Sequence, residues 1–149
     1  MTHARRARPA PAPMMSGRIS VGRRHGPCAK MGMSHPPPPA TTLPHHKLFA
    51  YELCLSLVKL VAKTRVADAQ LRAQARKSAA SAALNCAEGA ARQTRADKSR
   101  AYAIALCECC EACAAIEIAG ALGACSAADV QAVVALGTRT KNILSRLVR

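Results

Sequence analysis

An all-α fold, an antiparallel up-down-up-down four-helix bundle behind a disordered N-terminal leader, is predicted by three observations. After His46, apolar residues recur at steps of three and four in four segments separated by short polar or glycine-bearing breaks. No stretch shows the strict alternation of a half-buried strand. Residues 1–46 hold the prolines and seven Lys and Arg, but none of the eight Asp and Glu.

The leader, residues 1–46, is too poor in large apolar side chains to repay the entropy of ordering its chain, so no packed structure is predicted there. Its Pro36–Pro39 run favours the polyproline II conformation. Arg5-Arg6 and Arg23-Arg24 are not followed by an apolar segment, so no secretory signal is read. The eight cysteines are therefore expected as reduced thiols of the cytoplasm. Residues 47–149 form the second unit, one domain of modest size whose core is drawn from Ala, Leu, Val and Cys.

The first helix is predicted over 47–65, with Leu48, Tyr51, Leu55, Val58 and Ala62 along its inner stripe and Leu53, Leu57 and Leu60 widening it. The second is predicted over 67–88. Leu71, Ala75, Ser78, Ala82 and Asn85 form its seam, Asp68 lies in its first turn, and Gly89 ends it in the left-handed conformation. The third spans 96–122. Between Ala101 and Leu122 its only charges are Glu108, Glu111 and Glu117, which predicts the most buried helix of the four, closed by Gly123. Those three carboxylates argue against a membrane span, where each mid-bilayer charge costs at least ~2.5 kcal/mol. The fourth helix starts from Ser126 as N-cap with Asp129 as the acid of a capping box. It runs to the C-terminus on a seam of Val133, Leu136, Thr140, Ile143 and Leu147.

The segment Leu71–Gly89 reads L-R-A-Q-A-R-K-S-A-A-S-A-A-L-N-C-A-E-G. It resembles the signature of the four helix bundle proteins encoded in intervening sequences of bacterial 23S ribosomal RNA genes. Leu71, Gln74, Arg76, Ser81, Asn85, Ala87, Glu88 and Gly89 fit that pattern in register, and Lys77 stands for an Arg. Arg92, the third-helix residues Tyr102, Ile104, Ala105 and Glu111, and Leu122-Gly123 before Ser126 extend the match over 47–149. Lys98 and Ala101 stand where the family favours aromatic residues, and Cys107-Glu108 replaces a common Gly-Ser pair. The resemblance implies a cytoplasmic bacterial protein without catalytic activity or cofactor. At the level of fold it extends to accessory proteins of diversity-generating retroelements, which form basic homopentameric barrels and bind nucleic acid and a reverse transcriptase.

Three constellations carry the functional expectations. The net charge of +14 splits evenly, +7 in the leader and +7 in the bundle, and points to polyanions. Arg72, Arg76 and Lys77 on helix 2, Arg92 and Arg95 in the connection, and Arg139 and Arg146 on helix 4 are the expected contacts to RNA or DNA; the plainer alternative is solvated helix faces. With few aromatic platforms, base-specific single-strand readout is not expected. Second, Asn85, Glu88 and Gly89 with Glu111 are read as a structural motif near one bundle end rather than as an acid–base site, since no Glu-x-x-His motif accompanies them. Third, Cys107, Cys110 and Cys113 offer an alternative soft-metal site for Cu or Zn, against small apolar packing as the plainer reading. The expected assembly is a homo-oligomer, the pentamer included, without membrane insertion. A reverse transcriptase or an unidentified protein is a further candidate partner.

Overall fold

The computed structural model describes residues 42–149, so the lack of packed structure expected before Thr42 and the polyproline II conformation expected at Pro36–Pro39 lie outside the described residues. Pro44–Lys47 forms a 3-10 turn, an ordered feature at the end of the segment expected to lack structure. Proline at its first position needs no amide partner, and His45 packs edge-on against Tyr51 with ring centroids 4.6 Å apart. Four helices follow: α1, Phe49–Lys63; α2, Ala69–Ala91; α3, Arg95–Ala121; and α4, Ala127–Leu147. The described residues contain no strand.

Local chemistry sets the ends. Asp68 is the N-cap of α2, not a first-turn residue, and its carboxylate accepts from the Leu71 amide at 2.7 Å. Thr94 and Ser126 do the same for α3 and α4, accepting from the amides of Asp97 and Asp129 at 3.1 Å. The Asp129 carboxylate accepts from the Ser126 hydroxyl at 2.8 Å, a variation on the expected capping box, in which the acid would take the cap's amide. Gly123 has φ +70°; its amide donates to Gly120 and that of Ala124 to Ala119, which makes a Schellman turn. That is the ending expected for the third helix. The second helix does not end at Gly89. It continues to Ala91, since Ala90 and Ala91 are good helix formers, and Gly89 is buried within it. A β-carbon at Gly89 would lie 2.6 Å from the Tyr102 ring, so the glycine serves close approach rather than chain reversal. The last helix stops at Leu147, short of the C-terminus.

Contacts between α2 and α3, and between α3 and α4, step down one helix as they step up the next. Ala62 meets Arg76, Gln74 meets Glu111 while Gly89 meets Tyr102, and Cys109 meets Gly137 while Cys113 meets Val133. α1 also packs on α4. α2 and α3 share the most extensive contact, and both helices bury alanines: Ala75, Ala79 and Ala82 on α2, Ala105, Ala112 and Ala119 on α3. Such small side chains let two backbones approach at the short end of the usual 8–10 Å range.

Leu57, Ile116, Leu144, Val133, Thr140 and the cysteines Cys54, Cys86 and Cys109 fill the centre. Three helices differ from expectation. α4 buries Val133, Gly137, Thr140 and Leu144, with the expected Leu136, Ile143 and Leu147 half-buried beside them. In α1 the buried face is Ala50, Leu53, Cys54, Leu57 and Val61; Leu48, Tyr51, Leu55 and Val58 flank it and Ala62 is exposed. The helix is apolar on three sides, so periodicity alone does not choose the centre of its stripe. α3 is not uniformly buried. It turns Ile104, Cys107, Ala114 and Ile118 outward, and Leu122 follows them. Apolar content there measures more than burial.

Candidate nucleic-acid interface

The expected basic residues fall at two ends of the bundle. One end gathers the α1–α2 and α3–α4 connections, joined where the Ala67 amide donates to the Ala124 carbonyl at 2.8 Å. The other gathers the α2–α3 connection and the end of α4, joined where the Ser99 hydroxyl donates to the Val148 carbonyl.

At the first end the structure brings Arg72 and Arg76 together, one turn apart on α2. Arg72 Nη1 donates to the carbonyls of Val66 at 2.6 Å and Ala67 at 3.4 Å. Arg76 Nη2 donates to the Ala62 carbonyl at 3.2 Å. Both guanidiniums thus occupy carbonyls left unpaired where α1 stops. They line an open cleft of about 460 Å³ with Lys63 and Arg65, floored by the buried Thr64 and Val66. Lys63 and Arg65 were not among the expected contacts. No pattern in the chain singles them out, because only the fold sets the end of α1 and the residue after it beside α2.

At the second end Arg92 lies with Glu88, Asp97, Arg100, Ala101 and Ile104 around a cleft of about 360 Å³. Arg92 Nε donates to Glu88 at 3.1 Å, and the carboxylate pushes the arginine's pKa above its ordinary value. This is the only ion pair among the described residues. Arg95 opens α3 and is exposed; Arg146 is exposed in the last turn of α4. Lys77 is exposed on the outer face of α2. Arg139 sits with its guanidinium 5.5 Å from the centre of the Phe49 ring, a cation–π contact. None of these four lines either cleft.

The motif residues separate. Asn85 Nδ2 donates to the Ser81 carbonyl at 2.9 Å, and Glu88 takes Arg92. Glu111, expected to join them, instead accepts from Gln74 Nε2 at 2.6 Å and ties α2 to α3. Fourteen residues of helix separate Gln74 from Glu88, roughly 21 Å at 1.5 Å per residue, so Glu88 and Glu111 cannot act on one substrate atom.

The cysteines pair differently from the expected trio. Cys107 and Cys110 are exposed and Cys113 is half-buried. Cys113 instead pairs with Cys109, one turn away on the inner side of α3, beside Gly137, whose missing side chain leaves room for the Cys113 sulfur. Cys54 and Cys86 meet in the core between α1 and α2. Hydrogen bonding to Cys86, then burial, pushes the Cys54 thiol far above the ordinary range; Cys113 and burial do the same to Cys109. Such thiols stay protonated and pack as small apolar groups. No three His, Cys, Asp or Glu side chains among the described residues are placed to hold a metal ion. The soft-metal expectation at Cys107, Cys110 and Cys113 therefore finds no support in the geometry.

Four helices around an Ala- and Cys-rich core, with cations at both ends, define a basic helical bundle. No helix among the described residues is long and apolar enough to cross a membrane. The chain belongs to the 23S rRNA-intervening sequence protein family, whose model matches residues 48–146. No curated protein matches it. The match covers all four helices and bears out the family resemblance drawn from Leu71–Gly89.

Proposed function

We propose that this bundle is a non-enzymatic, self-associating cytoplasmic protein that binds RNA or DNA through its surface Arg and Lys. One observation carries the reading: fifteen cations face eight carboxylates from Lys47 onward, and among the described residues a single ion pair forms. The remaining cations are open to phosphates, and counterion release would drive the contact. The scattering of Glu88 and Glu111 supports the non-enzymatic part, because no acid–base pair is assembled from them.

Self-association is supported by the outer faces of α2 and α3. Leu84 is 70 % exposed, Ile118 51 % and Leu122 68 %. Ile104, on the same helix as Ile118, is also exposed. A pentamer is one outcome of a mass measurement on the assembled protein; a monomer at micromolar concentration rejects the self-association part. A reverse transcriptase or another protein seated on the same face is the alternative occupant.

Titration of a labelled RNA hairpin and a DNA duplex at rising salt tests the binding. Affinity is expected to fall steeply and log-linearly with salt for both. Undetectable binding at low ionic strength rejects the reading.

A further inference from the structure

We infer that the cleft at the α1–α2 end, lined by Lys63, Arg65, Arg72 and Arg76, is the seat of a nucleic-acid backbone phosphate. The inference rests on the nucleic-acid reading above and assigns it a place.

Four cations, from α1, the connection after it and α2, converge on one concavity of about 460 Å³, and no carboxylate lines it. Like charges held this close repel one another, and an anion between them removes that cost. The acid nearest in sequence is Asp68, whose carboxylate already accepts from the Leu71 amide at the start of α2. The leader cannot neutralise the cleft either, because residues 1–46 contain no Asp or Glu.

The four cations divide the work. Arg72 and Arg76 are fixed by the carbonyls of Val66, Ala67 and Ala62, so their positions are set before any ligand arrives. A guanidinium has five N–H donors, and these bonds use two on Arg72 and one on Arg76, which leaves donors for a phosphate oxygen. Lys63 and Arg65 are exposed and, among the described residues, make no hydrogen bond or ion pair. They are the free charges that would close over the phosphate. The floor is firm, since Thr64 and Val66 are each 4 % exposed and Ala67 is bonded to Ala124. An open cleft with cations along its walls suits a phosphodiester that passes through, rather than a small molecule enclosed on all sides.

The second cleft supplies the contrast. It carries Arg92 and Arg100, but Glu88 and Asp97 line it as well. Its charges are balanced, so an added phosphate meets no uncompensated field.

The test compares charge reversals at the two ends of the full chain. K63E/R65E alters only the free pair and leaves the arginines that close the end of α1; K63A/R65A is the gentler version should the reversal disturb folding. R100E/R149E reverses the same number of charges at the other end, on two exposed arginines outside the expected contacts. Binding of a labelled RNA hairpin is measured across salt, with unchanged helical circular dichroism required of each variant. K63E/R65E is expected to lose roughly tenfold to a hundredfold in affinity near 0.1 M salt and to flatten the salt slope by about two. R100E/R149E is expected to lose less than threefold. Equal losses at both ends would overturn the cleft while leaving general nucleic-acid binding intact. Unaltered slope in K63E/R65E and K63A/R65A would overturn it too. Failure of the unmodified protein to bind RNA at all would sink both the cleft and the function on which it rests.

Discussion

The two ends of this bundle carry similar cations and differ in what those cations do. At the α2–α3 end Arg92, the C-cap of α2, is answered by the exposed Glu88 one turn back. At the α1–α2 end Arg72 and Arg76 are answered by backbone carbonyls, which carry no net charge. The first arrangement cancels charge and fixes little. The second fixes geometry and leaves the charge standing. Counting arginines along the chain does not separate these cases; asking what accepts each hydrogen bond does.

Variants that probe each end should rank accordingly. The largest effect is expected from Gly89→Leu, because α2 and Tyr102 of α3 leave no room for a side chain there. Overpacking of this kind costs about 2–3 kcal/mol, read as a lower urea midpoint with unchanged slope. If Gly89→Leu proves neutral, the α2–α3 end is looser than its packing indicates. Arg72→Met comes next. It keeps the aliphatic stem but strips the Val66 and Ala67 carbonyls of their partner, a loss of about 1 kcal/mol given that the residue is half-buried. A loss too small to measure would mean that water replaces the guanidinium, and the claim of a fixed cleft would weaken. Arg92→Ala is expected to leave the thermal midpoint where it was, since the pair is solvated and spans one helical turn. A clear drop would show that the two ends are not so different after all.

Much of this was legible beforehand. Apolar recurrence gave four helices. Ser126 and Gly123 marked ends that the structure keeps, because each motif acts within a few residues and needs no distant partner. The reading went astray where three-dimensional neighbours decide. Gly89 looked like a stop signal, yet its reason is a ring thirteen residues away in sequence. Glu111 looked like a companion of Glu88, yet its partner is Gln74, itself part of the family signature. Ile104 fitted the third-helix pattern and is 42 % exposed, because α3 is apolar on more sides than the bundle can cover. At the candidate site, Arg72 and Arg76 could be named from the chain. Lys63 and Arg65 could not, since they gain meaning only when α1 ends beside α2.

The hydrogen bond from Ala67 to Ala124 has a consequence for motion. It crosses from one inter-helix connection to the other, so neither can peel away while that amide stays paired. Exchange of the Ala67 amide with deuterated solvent is therefore gated by the separation of the two connections, whichever of them moves. One backbone proton, followed by NMR, becomes a gauge of how often that whole face of the molecule breathes.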